Sequence, residues 1–198
     1  MTRKVFGIGF QKTGTTSLGT IFDKLGYRVA SYRDFRDFAQ QDHVDWAEVT
    51  DRALTIAAGV DAAKDTPWPL LYRELDAAFP GAKFIHVTRD PEAWIRSAVK
   101  DFANHPNALH EAIYGCPYPM GYEEIWLDRY RQHNEEVAAY FADRPDDCLH
   151  LQLEDGVSYE AVCDFLGEER VGSGVPVANT RTRKKLKMLW WRLMKKDG

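Results

Sequence analysis

The sequence predicts an α/β domain of three layers, with helices on both faces of a mainly parallel sheet. Three observations carry this. An apolar run, Val5 to Ile8, breaks at Gly9 and gives way to a helical pattern at Leu18, Ile21, Phe22 and Leu25. A second strand–turn–helix unit spans Phe84 to Ser97, with Asp90 as N-cap and Pro91 at the first helical position. Short β-prone runs alternate with helical patterns along the rest of the chain, the order that builds a parallel sheet.

The elements follow in order. Gly26 stops the first helix. Tyr27 to Ser31 reads as a second strand, and a polar, aromatic segment, 32–42, leads into a helix from about Asp45 to Ala58. Val60 to Trp68 is a short strand ending in a polar turn, and Leu70, Leu71, Leu75 and Phe79 mark the helix after it. The helix that starts at Pro91 ends near Phe102. Asn104 to Gly121 is rich in Pro, Gly, Asn and Tyr and reads as a loop-rich insertion that could cover a site. One long helix runs from Tyr122 to Ala142, Leu149 to Leu153 forms a late strand, and Tyr159 to Leu166 is a short helix stopped by Gly167.

A length of 198 residues fits a single domain with a sizeable core. The net charge of −4 argues against a general nucleic-acid binder. Cys116, Cys148 and Cys163 show no metal spacing and point to a reducing compartment. No apolar run reaches the ~20 residues that span a bilayer, and Met1-Thr2-Arg3-Lys4 leads straight into the first strand, so the expectation is a cytoplasmic protein. From Thr180 onward eight basic residues stand against one acid, Asp197, a surplus of seven that leaves −11 on the rest of the chain. Leu186, Leu189, Trp190, Leu193 and Met194 make an apolar stripe there at helical spacing, predicting a basic amphipathic helix at about 180–196. Its apolar face docks on the domain, or it lies on an anionic membrane.

The loop after the first strand carries the chemistry. Its amides crown a helix N-terminus, where free N–H groups and the helix dipole both favour an anion. Gly9 and Gly14 have the spacing of a nucleoside-triphosphate loop, but Thr15 stands where that loop has its lysine. The lysine is Lys12 instead, and Thr15, Thr16 and Ser17 supply hydroxyls. This composition suits a phosphate better than a metal-bound γ-phosphate. In the second unit, Arg89 ends a strand and Ser97 lies about two turns into the helix, so both can face a ligand crossing the strand ends. A guanidinium grips phosphate through paired hydrogen bonds.

Gly9-Phe10-Gln11-Lys12-Thr13-Gly14-Thr15-Thr16-Ser17-Leu18 resembles the 5′-phosphosulfate loop of the sulfotransferases that use 3′-phosphoadenosine 5′-phosphosulfate, PAPS, and release 3′-phosphoadenosine 5′-phosphate, PAP. The resemblance implies a P-loop-like fold, with Lys12 on the phosphosulfate and Gln11, Thr13, Gly14, Thr15, Thr16 and Ser17 around the 5′-phosphate. It implies Arg89 and Ser97 as the 3′-phosphate site and no metal. It also implies a late basic loop on that phosphate, for which Arg181 is the candidate, although the family's Arg-Lys-Gly signature is absent. In the family, the segment after the second strand borders the acceptor pocket, which gives Phe35, Phe38 and Trp46 two readings, pocket lining or core packing.

The turn before Pro67 is the point of departure. The cytosolic enzymes carry a lysine and a catalytic histidine there; this chain has Lys64 and Asp65 and no histidine. Other branches use a carboxylate as base, and Asp65 is the candidate, with Lys64 assisting. Asp65 as a turn or helix-cap residue is the equal alternative. His86, mid-strand, reads as a core histidine. The acceptor is a hydroxyl or amine on a small molecule, sugar or lipid. Two other functions compete: an ATP-dependent small-molecule kinase, and a nucleotide-binding member that transfers nothing.

Overall fold

A computed structural model gives the structure of the protein and describes residues 4–176. Five strands form one sheet, all pairs parallel, in the order β2-β3-β1-β4-β5. They are β1 (Val5–Gly7), β2 (Val29–Ala30), β3 (Ala62–Lys64), β4 (Lys83–Thr88) and β5 (Cys148–Gln152). The helices are α1 (Thr15–Lys24), α2 (Trp46–Gly59), α3 (Tyr72–Ala78), α4 (Pro91–Phe102), α5 (Ala108–Tyr114), α6 (Glu123–Tyr140) and α7 (Tyr159–Leu166). The protein is therefore an α/β P-loop-like sandwich.

Strand alternation decides which helix covers which face. Val5, Ile85 and Val87 point to one side, where Leu18, Ile21 and Phe22 of α1 and Val162 and Leu166 of α7 cover them. Phe6 and Phe84 point to the other, against Val49 and Ala53 of α2, Leu75 of α3 and Val137 of α6. Each fully buried residue of this kind contributes about 1.5–3 kcal/mol of transfer free energy. A third cluster joins α4 to α6 beside the anion loop. Trp94 stacks on Tyr130 at 4.2 Å and Tyr114 on Trp126 at 3.7 Å, while Phe10 packs among them.

The second strand is shorter than predicted, two residues against five. Phe35 and Phe38 lie in the core, Phe35 edge-on to Trp68 at 5.6 Å, and Trp46 packs against the same cluster. The pocket-lining reading of these aromatics is corrected accordingly. The predicted loop 104–121 contains α5. The Asn107 side chain accepts from the amides of Leu109 and His110 to start it, and Gly115 at φ 73° ends it. Seven residues between prolines and glycines are too few for helical periodicity to register. The predicted helix at 180–196 and Arg181 lie outside the described residues. Among the described residues no helix is long and apolar enough to cross a membrane.

Three histidines meet between the sheet and α6, His86 on β4, His150 on β5 and His133 on α6 itself. His86 Nε2 bonds Asn134 Oδ1 at 3.0 Å, its Nδ1 lies 3.2 Å from His150 Nδ1, and His133 Nε2 donates to Ile8 O at 2.9 Å. Burial pulls His86 down to about 4 and His133 to about 3, from an ordinary 6.5. Below pH 6.5 the unfolded chain takes up protons that the folded one refuses. The stability these groups give is full above 6.5 and is lost as pH falls toward 4. Thermal melts are expected to show a loss of the order of a few kcal/mol between pH 7 and pH 4.5. A Tm that does not move over that range would exclude the histidines from the proton balance.

Candidate functional site

Strand order reverses on either side of β1, and in open parallel sheets ligands bind in the crevice at such a point, beyond the carboxyl ends of the strands. A cleft of about 750 Å³ opens there. The loop after β1 forms its floor. Gly9 is required where the loop starts, because a Cβ would fall 2.3 Å from Val87 O on β4. Gly14, at φ 99°, sets the loop into α1. No side chain caps the N-terminus of α1 and no acid stands in its first turn. Thr15, Thr16 and Ser17 line the cleft from that turn. This is a site built for an anion.

Two cations reach the cleft from different strand ends. Lys12 takes φ 72°, a left-handed conformation that costs an L-residue about 1–2 kcal/mol. Strain of this kind concentrates at functional sites. Its ammonium is ion-paired with Asp101 of α4. Arg89, past β4, donates from Nη1 to Lys12 O at 3.3 Å, and its Nε, 3.9 Å from Glu154 Oε1, is buried without a hydrogen-bond partner. Tyr130 of α6 fixes the Arg89 backbone from both sides: its Oη accepts from Arg89 N at 2.7 Å and donates to Arg89 O at 2.9 Å. Asp90 caps α4 through Ala93 N, and that helix carries Ser97 into the cleft.

Gln11 is held on three sides. Its amide donates to Tyr114 Oη, Thr66 Oγ1 donates to its Oε1 at 3.2 Å, and Trp94 Nε1 donates to its O at 2.8 Å. Asp65 lines the cleft beside it, in a turn at φ 71° after β3, and Oδ1 accepts from Thr66 N. Burial pushes its carboxyl above the ordinary carboxylate value, against the opposing pull of Lys64, the Thr66 amide and Lys12. A raised carboxyl is a better proton acceptor than a free one.

The cleft gathers Gln11, Lys12, Gly14, Thr15, Thr16, Ser17, Asp65, Arg89 and Ser97. Two predicted residues do not line it. Thr13 is fully buried, and its hydroxyl donates to Phe10 O at 2.6 Å. Lys64 lies along α1, with Cε 2.3 Å from where a Cβ on Gly19 would stand. Adjacent residues at a strand end point to opposite sides, so Lys64 and Asp65 part company. Sequence reasoning assigned the segments 32–42 and 104–121 to the border or cover of the site but did not single out the residues of the opposite wall, Tyr32, Asp101, Phe102, Asn107 and His110. Asp101 could have been found, since it stands one helical turn beyond Ser97. Among the described residues no group of three or more His, Cys, Asp or Glu could hold a metal ion.

The sulfotransferase domain family matches residues 4–184. Ava biosynthesis cluster protein M of Aspergillus versicolor is 31% identical over 108 residues, which covers 48% of this chain and 41% of that protein. The chain thus aligns with less than half the length of that curated relative. Among solved structures, a sulfotransferase from Alicyclobacillus acidocaldarius is similar with a TM-score of 0.54 at 16% identity, over 96% of this chain and 92% of that one. A mouse sulfotransferase complexed with PAP gives 0.47 at 14% identity, over 85% and 59%. A shikimate kinase and a sugar kinase give likenesses below 0.5 as well. From the extent of the family match, this chain belongs to the sulfotransferase domain family.

Proposed function

We propose that the protein is a PAPS-dependent sulfotransferase that moves a sulfonate to a hydroxyl or amine acceptor. One observation carries the reading: Lys12 and Arg89, 77 residues apart, meet through Arg89 Nη1 and Lys12 O over an uncapped, hydroxyl-rich helix N-terminus. PAPS supplies the activated sulfonate. The loop amides and the hydroxyls of Thr15, Thr16 and Ser17 hold its 5′-phosphate. Lys12 neutralises charge growing on the leaving oxygen, the part that a metal ion plays in many phosphoryl transfers. Arg89 and Ser97 bind the 3′-phosphate, and Asp65 takes the acceptor proton. The reading places the enzyme in the cytoplasm, where its three buried, free thiols are stable.

The test is calorimetric binding of PAP beside ADP and ATP–Mg²⁺. PAP is expected to bind tightly and ADP weakly. Arg89→Ala is expected to weaken PAP by at least tenfold, the effect of losing a charge-assisted contact of about 1.5 kcal/mol or more. Unchanged PAP affinity in the variant would move the 3′-phosphate site elsewhere. Preference for ATP–Mg²⁺ would favour a kinase, and PAP binding without transfer to any acceptor would favour a non-catalytic protein.

A further inference from the structure

We propose that Asp101 anchors an ammonium group on the acceptor, so that the acceptor is an aromatic alcohol bearing a protonated amine. The inference rests on the donor reading above. The wall opposite the anion loop is ring-lined: the Phe102 and His110 rings lie 4.8 Å apart, and both line the cleft. His110 is 6% exposed, and its Nδ1 has no hydrogen-bond partner among the described residues, so the wall is built for a ligand with a polar group as well as a ring. Asn107 Nδ2 donates to Tyr32 Oη at 3.2 Å, which leaves the tyrosine's own hydrogen to donate.

Charge then selects the class. The cleft's cations, Lys12 and Arg89, both belong to the donor loops, and two carboxylates, Asp65 and Asp101, face the same space. Asp101 already holds an alkylammonium, that of Lys12. In turnover Lys12 is needed at the leaving oxygen of the donor. An ammonium on the acceptor is the same chemical group, so it replaces Lys12 at Asp101 and delivers Lys12 to the donor in one exchange. The aromatic ring lies against Phe102, and the hydroxyl is left for Asp65. An acceptor bearing a carboxylate would meet both aspartates and the donor's phosphates, and is rejected.

The test uses three probes of one shape: tyramine, 4-ethylphenol and 4-hydroxyphenylacetate, titrated calorimetrically into the PAP-saturated protein. Tyramine is expected to bind about tenfold tighter than 4-ethylphenol, with 4-hydroxyphenylacetate weakest. Asp101→Asn is expected to bring tyramine down to the level of 4-ethylphenol. Phe102→Ala is expected to weaken both by the same factor. Equal affinity for the three probes, or no binding of tyramine with PAP in place, overturns the inference while the donor reading stands. Failure of PAP itself to bind, seen in its own titration, overturns both.

Discussion

Lys12→Ala is expected to lower sulfonate transfer by roughly 10²–10³-fold, the effect of deleting one preorganised charge at the centre where charge develops. The loss should fall on turnover. PAP binding should weaken much less, because on the proposed reading the α1 amides, Thr15 to Ser17 and Arg89 still hold the nucleotide without the lysine. Alanine at φ 72° keeps the strain of the left-handed backbone, and Lys12→Gln preserves the stem while removing the charge. If both variants turn over PAPS at near-normal rates, the leaving-group role of Lys12 is lost. A fall in PAP affinity as large as the fall in turnover would instead make Lys12 a ground-state anchor.

Asp65→Asn is the second large effect, expected at about 10²–10⁴-fold in turnover, the range for a positioned general base. Asparagine suits the position: it tolerates left-handed backbone and its carbonyl can still accept from Thr66 N, so the melting temperature should hold. The pH profile makes the assignment specific. Burial raises the Asp65 carboxyl above 3.8, so wild-type activity should fall with acidification at a pH above the ordinary carboxylate range. The variant should lose that limb. An acid limb that survives in Asp65→Asn would identify another group as the base.

The anion loop was legible because its chemistry is local. Glycine spacing, a run of hydroxyls and the restart of an apolar helix pattern lie within Gly9 to Leu25, and the second unit is equally compact. The opposite wall was legible only as two segments, 32–42 and 104–121, and not as residues. Tyr32 leaves β2, Asp101 and Phe102 end α4, and His110 belongs to a helix too short to show a period, so only the folded chain puts them together. Lys64 stands outside the cleft lining for a different reason. It is adjacent to Asp65, and both were assigned to the cleft, whereas the strand's alternation sends one to α1 and the other to the cavity. The glycine at position 19, a poor helix residue in the middle of α1, was the sign that something packs against it.

The two walls of the cleft come from different kinds of chain. The donor wall is cut into the sheet itself, where a single methyl group on Gly9 would strike β4. The opposite wall is the end of α4 with Asp101 and Phe102, a 3-10 turn at Tyr32–Phe35 and the inserted helix α5, and the Asn107 amide donates to the Tyr32 phenol between the last two. On the proposed reading such a division makes the protein modular. Exchanging or lengthening these two connections is then expected to change the acceptor while the donor site stays in place. A laboratory library confined to the same two segments should likewise diversify substrate range at little risk to the fold.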